Sequence, residues 1–243
     1  MLVERLPFMG PEGTVPEPWW SGVAKEFAEN VGHPEYPCHF GRAALERGEL
    51  FGTFFNGDDM PTLADTLRSF LDMSRQHLRR RMVLAAFRRP ESTPRTEYWY
   101  DAEFWRILQA LHRADERAWP GELPVDPDEP GWEFAFHGTP IFVFCASPSY
   151  LQRRSRGLGP GMVLLFQPRN VFAGIEGGTP AGTRARELIR ARTQAWDDEL
   201  PHPDLGSYGD TPNREWRQYF IADDSSRLHE RCPLDITDPA IRP

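Results

Sequence analysis

The sequence predicts an α+β fold: a single domain with a mainly antiparallel sheet covered by helices. Three observations lead there. The strand candidates are short and apolar. Two of them, Trp132 to Phe136 and Ile141 to Ala146, are joined by His137-Gly138-Thr139-Pro140, a spacing that reads as a hairpin. The helical segments are not spaced as regular strand–helix–strand crossovers, and there is no internal repeat. With 243 residues, 40% of them hydrophobic, the chain is long enough to bury a real core.

Each element has a local reason. Residues 1–18 are rich in Pro and Gly and read as a loosely attached arm, with 19–243 as the domain proper. Trp19 to Val31 has the spacing of a short amphipathic helix. Pro37 restricts the backbone before Cys38, and a short helix opens near Gly41 and stops at Gly48. Leu50 to Phe55 is a strand candidate that ends at the turn Asn56-Gly57. Pro61 to Leu78 is a helix with Leu63, Leu67, Phe70 and Leu71 on one face. Arg81 to Phe87 is a second strand. A further helix runs from near Tyr100 to just before Trp119-Pro120.

Residues 121–131 carry three prolines and cannot be regular structure. After the hairpin comes a turn or short helix bearing Arg153, Arg154 and Arg156. Met162 to Gln167 is another strand. Gly182 to Trp196 is a helix whose apolar stripe is Ala185, Leu188, Ile189 and Trp196. Arg192 falls on that stripe, and an arginine on a buried face needs a partner. The tail adds a short helix and an edge segment.

Composition narrows the function classes. A net charge of -8 argues against a general nucleic-acid surface. Lys25 is the only lysine; this bias toward arginine suits site-lining guanidinium groups and equally a high-GC genome. Cys38, Cys145 and Cys232 form no CxxC, and an odd count is no disulfide framework, so a reducing cytoplasm is expected. No signal peptide or membrane-length apolar stretch is seen, so the expected protein is soluble, without a membrane partner. The absence of P-loop, GxGxxG, HExxH and GxSxG motifs argues against kinases, nucleotide-fold dehydrogenases, zincins and α/β-hydrolases.

Two residues stand out chemically. Phe104, Leu108, Leu111, His112 and Asp115 share one helical stripe, which puts an imidazole on the buried face with a carboxylate one turn on. Such a histidine is either a metal ligand with an outer acceptor or a hydrogen-bonded core residue. Cys38 lies at a helix N-terminus, where free N–H groups favour a thiolate. It is either a nucleophile or soft ligand, or a small residue at a tight turn. The paired aspartates 58–59, 197–198 and 223–224 read as solvated turns.

Several segments together resemble the YqcI/YcgG family: PCHFG (37–41), FWRILQALHRADERAWP (104–120), WEFAFHGTPIFV (132–143), RRSRGLG (153–159), FQPRNVF (166–172) and EWRQYF (215–220). YGD (208–210) and the terminal CP (232–233) agree as well. Two positions depart from the family pattern: His137, where a small residue is expected, and Glu103, where some relatives carry histidine.

The resemblance implies a heme-dependent N-oxygenase. Such relatives use dioxygen and electrons to hydroxylate amine or guanidine nitrogens of arginine- or lysine-like substrates, often in natural-product pathways. It implies heme b, with His112 or Cys38 as the iron ligand; thiolate chemistry favours Cys38, and helix position favours His112. Arg153, Arg154 and Arg156 match the family's R-x-S-R segment and suit heme propionates or a substrate carboxylate. Arg169 and Arg192 are further candidates. Asp115, Glu133 and Glu215 are the candidate carboxylates for a cationic substrate. Trp105, Trp119 and Trp132 suit a flat cofactor or a plain core. An external electron donor is implied, since no flavin or nicotinamide motif is present. The rival expectations are a non-catalytic heme carrier or sensor, and a metal-free interaction protein.

Overall fold

The apolar run from Val83 to Phe87 alternates between two cores, and this sets the architecture. In the computed structural model, which describes residues 6–236 except Pro94, Gly177, Gly209 and Pro212, the run is strand β2 (Val83–Arg88). Leu84 and Ala86 face one core; Val83, Ala85 and Phe87 face the other. A strand covered on both faces reads as a continuous hydrophobic run. β2 pairs in parallel with β1 (Leu50–Phe55) and antiparallel with β5 (Val163–Pro168). β4 (Thr139–Ala146) and the two-residue β3 (Ala135–Phe136) complete a sheet in the order β1-β2-β5-β4-β3.

The α+β expectation holds, and every pairing but one among these five strands is antiparallel. The exception has a local cause. Helix α3 (Met60–Gln76) is capped by the Asp59 carboxylate, which accepts the Thr62 N–H, and it carries the chain back along the sheet. β1–α3–β2 is therefore one strand–helix–strand crossover, which the spacing alone did not suggest.

Helices lie on both faces. α3 and α4 (Glu97–Ala114) cover one core with Leu63, Leu67, Phe70, Phe104, Leu108 and Leu111, all essentially fully buried. α1 (Pro18–Gly32) and α2 (His39–Glu46) cover the other with Trp20, Val23, Phe27 and Leu45. Phe87 meets Trp20 and Phe27 edge-on, with ring centroids 5.1 and 5.0 Å away. Burying a side chain of this size contributes roughly 1.5–3 kcal/mol.

Four expectations are corrected. The first concerns the arm: Leu6 is buried, and residues 7–9 bond along β1, with Met9 N donating to Gly52 O and Gly52 N to Pro7 O. It is not loose there, because Gly52 lets the ring of Trp20 close over the strand; a Cβ at Gly52 would stand 2.6 Å from that ring. Residues 1–5 lie outside the described ones.

The second concerns α4. It starts three residues earlier than expected, at a Thr96 cap, and stops at Ala114. Asp115 leaves the helical region (φ -75, ψ 124) because its carboxylate turns to cap other backbone groups. The third concerns α5 (Pro180–Asp197), whose expected apolar stripe is not buried. Only Gly182 and Asp197 are, and Leu188 is half exposed. The helix is held at its far end, where Trp196 packs on His33 and Tyr36 and Asp197 accepts from Ser155. The fourth concerns the hairpin. Its turn is only two residues, His137 (φ 53) and Gly138 (φ 68), a primed turn that suits strand twist.

Among the described residues no helix is long and apolar enough to cross a membrane.

Candidate functional site

His112 occupies the last turn of α4 and is 1% exposed. Its ring meets Trp119 edge-on at 5.9 Å. Trp119 stacks on Trp132 at 6.1 Å and 20°, and Trp132 leans on Tyr219 at 6.3 Å. An aromatic wall thus runs from His112 into the core beneath β3 and β4. The buried Trp132 Nε1 has no hydrogen-bond partner among the described residues.

The next residue, Glu133, is wholly buried. Two other segments converge on it. Arg169 opens the turn after β5, and Glu215 opens a 3-10 turn in the tail. Arg169 Nε donates to Glu133 Oε2 at 2.7 Å, and Nη2 pairs with Glu133 Oε1. The same Nη2 lies 3.7 Å from Glu215 Oε1. The guanidinium is 3.5 Å from the centre of the Tyr208 ring. Asn213 and Gln218 each donate an amide N–H to Glu215 Oε2, at 2.9 and 3.0 Å.

Two carboxylates share one cation here. Burial pushes the Glu133 carboxyl up to about 8, against the pull of Arg169 and helped by Glu215. Burial likewise raises Glu215 to about 7. Burial thus favours the protonated form of each carboxyl, and the two titrate as a coupled pair. Such a cluster can hold a cation and exchange a proton.

The other expected residues sit elsewhere. Asp115 is the C-cap of α4; its two oxygens accept the N–H groups of Arg117 (3.0 Å) and His137 (2.8 Å). It ties the hairpin turn to the helix end. His137 is the turn residue itself, with Nε2 3.3 Å from Asp72 Oδ1. Glu103 is gripped by Arg88 and Arg106.

The arginines are engaged by backbone oxygens. Arg153 is buried and donates to the carbonyls of Leu200, Ala222 and Asp224. Arg156 is buried on the carbonyls of Cys145, Gln218 and Tyr219. Arg154 donates to Trp196 O. Arg192 donates to Pro34 O and Tyr36 O, so the partner its position demanded is backbone rather than carboxylate. Trp105 donates to Asp101, whose other oxygen is 2.6 Å from His229 Nε2.

Cys38 is the N-cap of α2, and its Sγ accepts the Gly41 N–H at 3.4 Å. Burial raises its thiol, so the helix start does not yield a ready thiolate. It packs into the core under α1 and α2, whereas α4 and His112 lie against the opposite face of the sheet. The two ligand candidates thus mark two separate places.

Among the described residues no three His, Cys, Asp or Glu side chains gather to hold a metal ion. For heme, the surroundings of His112 fit better than those of Cys38. His112 is a buried imidazole beside a flat aromatic wall with an orphaned indole N–H. Propionate partners among Arg153, Arg154, Arg156 and Arg192 would have to give up backbone bonds already made.

Sequence reasoning singled out Glu133, Glu215 and Arg169 but not their union. It missed Tyr208, Asn213 and Gln218 as members. Tyr208 was visible only as part of the YGD motif, of which Gly209 lies outside the described residues.

The YqcI/YcgG family profile matches residues 27–235. Uncharacterized protein YcgG of Bacillus subtilis (strain 168) is 37% identical over 229 residues, 89% of this chain and 88% of that one. Uncharacterized protein YqcI of the same organism is 36% identical over 215 residues, 85% and 84% of the two chains. A Streptomyces lavendulae protein named "Putative N(omega)-hydroxy-L-arginine synthase DcsA" is 30% identical over 223 residues, 89% and 84% of the two chains. No solved structure gives a significant match.

Proposed function

The chain belongs to the YqcI/YcgG family, and from that premise we propose that it is a heme-dependent N-hydroxylase acting on a guanidine or amine nitrogen of an arginine-like amino acid. The observation that carries this reading is the pair of buried glutamates gathered on one guanidinium. The acceptors and ring face that hold the Arg169 guanidinium match what a substrate guanidinium would need, and they become open to it once Arg169 turns aside. The name of the Streptomyces lavendulae relative supports the same substrate class.

His112 would hold heme b, which would supply the activation of dioxygen; the overall N-hydroxylation consumes one O2, two electrons from an external donor and two protons, and releases one water. The chain's own part is positioning and proton handling. Glu133 and Glu215 hold the cationic end, and their raised affinity for protons lets one of them take the proton that a guanidinium must lose before its nitrogen is a nucleophile. Trp119 and Trp132 keep water from that end.

Absorption spectra of protein reconstituted with heme, as purified and then reduced under carbon monoxide, test the cofactor. The expected result is a Soret band kept in Cys38→Ala and lost in His112→Ala. Mass spectrometry of L-arginine incubated with this protein, oxygen and a reductant should show a product one oxygen atom heavier. No Soret band after reconstitution would sink the oxygenase reading and leave a metal-free interaction protein. A heme band without substrate-dependent oxygen consumption would leave a carrier or sensor.

A further inference from the structure

A cavity of about 400 Å³ opens beside the glutamate cluster, with Asp204, Asp210, Asn213, Arg214, Arg217 and Arg227 in its wall. That volume is on the scale of small-molecule sites. The lining carries both signs of charge. Arg227 is paired with Asp204 at 3.0 Å. Arg214 spends Nη1 on the carbonyls of Thr211 and Asn213, and its Nε lies 3.9 Å from Asp128 Oδ1. Arg217 donates Nη2 to Glu230 O, and its buried Nε has no acceptor among the described residues. Arg214 Nη2 and Arg217 Nη1 thus make no hydrogen bond among the described residues, and Asp210 stands in the same wall.

The wall also touches the buried cluster. Asn213 lines the cavity and donates Nδ2 to Glu215 Oε2 at 2.9 Å. One residue separates the open cavity from Glu215.

We propose that this cavity receives the α-amino-carboxylate end of a free amino acid, with its carboxylate on Arg214 and Arg217 and its ammonium group on Asp204 or Asp210. The inference rests on the substrate class proposed above. It adds the part of the protein that distinguishes an amino acid from a simple amine. A carboxylate matched by guanidinium forks gains paired, charge-assisted hydrogen bonds, and an analogue without it leaves those donors unpaired. The side chain of such a ligand then extends past Asn213 toward Glu215.

Isothermal calorimetry on the purified protein tests this with L-arginine and agmatine, its decarboxylated counterpart. L-arginine should bind more tightly than agmatine, by on the order of tenfold or more. Arg217→Gln should weaken L-arginine by a similar factor and leave agmatine nearly unchanged. Arg214→Gln is the second variant, and thermal melts of both confirm folding. Equal binding of the two ligands, binding of neither, or equal weakening of both in the folded variants would overturn the proposal. Calorimetry reads neither oxygen nor heme. Selective arginine binding without a hydroxylated product would therefore remove the N-hydroxylase reading alone. Turnover of agmatine with the same KM as L-arginine would remove the cavity alone.

Discussion

Glu133 and Glu215 reach the guanidinium of Arg169 from two separate stretches of chain, the first bonded at 2.7 Å through Nε and the second 3.7 Å from Nη2. Neither acid has a cation to itself, and both are buried. Burial, only partly offset by the shared Arg169, makes the cluster sensitive to pH.

The sign of that sensitivity follows from the shifts. Burial raises Glu133 from 4.5 to about 8 and Glu215 from 4.5 to about 7 in the folded protein. The unfolded chain loses these protons first as pH rises. Their contribution to stability is therefore complete below about pH 4.5 and falls as pH climbs through about 7–8. In Glu133→Gln the melting temperature should decline less between about pH 5 and 8 than in the parent. Parallel curves for the two proteins would show that Glu133 does not carry the effect.

Asp115 is expected to act on stability through the hairpin. Its carboxylate accepts two backbone N–H groups, from Arg117 and from the strained turn residue His137. Hydrogen bonds to a charged group contribute about 1.5–3 kcal/mol each, so Asp115→Ala, which removes two, should lose roughly 3–6 kcal/mol in urea unfolding. An unchanged midpoint would mean that water replaces both contacts at no cost.

Arg153 binds three carbonyls and the Ser225 hydroxyl with a single planar fork. Arg153→Lys keeps the charge and loses the geometry. It should be nearly as destabilising as Arg153→Gln, by roughly 3 kcal/mol or more. Full recovery by lysine would instead point to a role for charge, such as holding an anionic ligand.

Gly52 is the place where the N-terminal segment, β1 and Trp20 meet. A Cβ introduced there would stand 2.6 Å from a Trp20 ring atom, so the ring would have to move, and overpacking of this kind costs about 1–3 kcal/mol. Gly52→Ala should show that loss in guanidinium unfolding, together with faster proteolysis near the N-terminus. A variant as stable and as resistant as the parent would mean that Trp20 shifts freely.

Sequence alone determined much of the layout, because periodicity and punctuation are local. The stripe of α4 put Phe104, Leu108, Leu111 and His112 on a buried face, and all four are buried. Cys38 before Gly41, the β3–β4 hairpin and the two apolar strands around α3 were all legible from neighbours in the chain. The ordered motifs carried the family. Tertiary structure alone decided which of these residues meet. The parallel pairing of β1 with β2 depends on where α3 packs, and the exposure of α5 depends on its being held at its far end rather than along its apolar stripe. The separation of His112 from Cys38 depends on which face of a sheet each helix covers. The meeting of Glu133, Arg169 and Glu215 joins three distant segments, and no spacing encodes it. Charge pairing in a buried place is a property of the packed core, where the dielectric is low and each ion takes whatever partner the fold brings within reach.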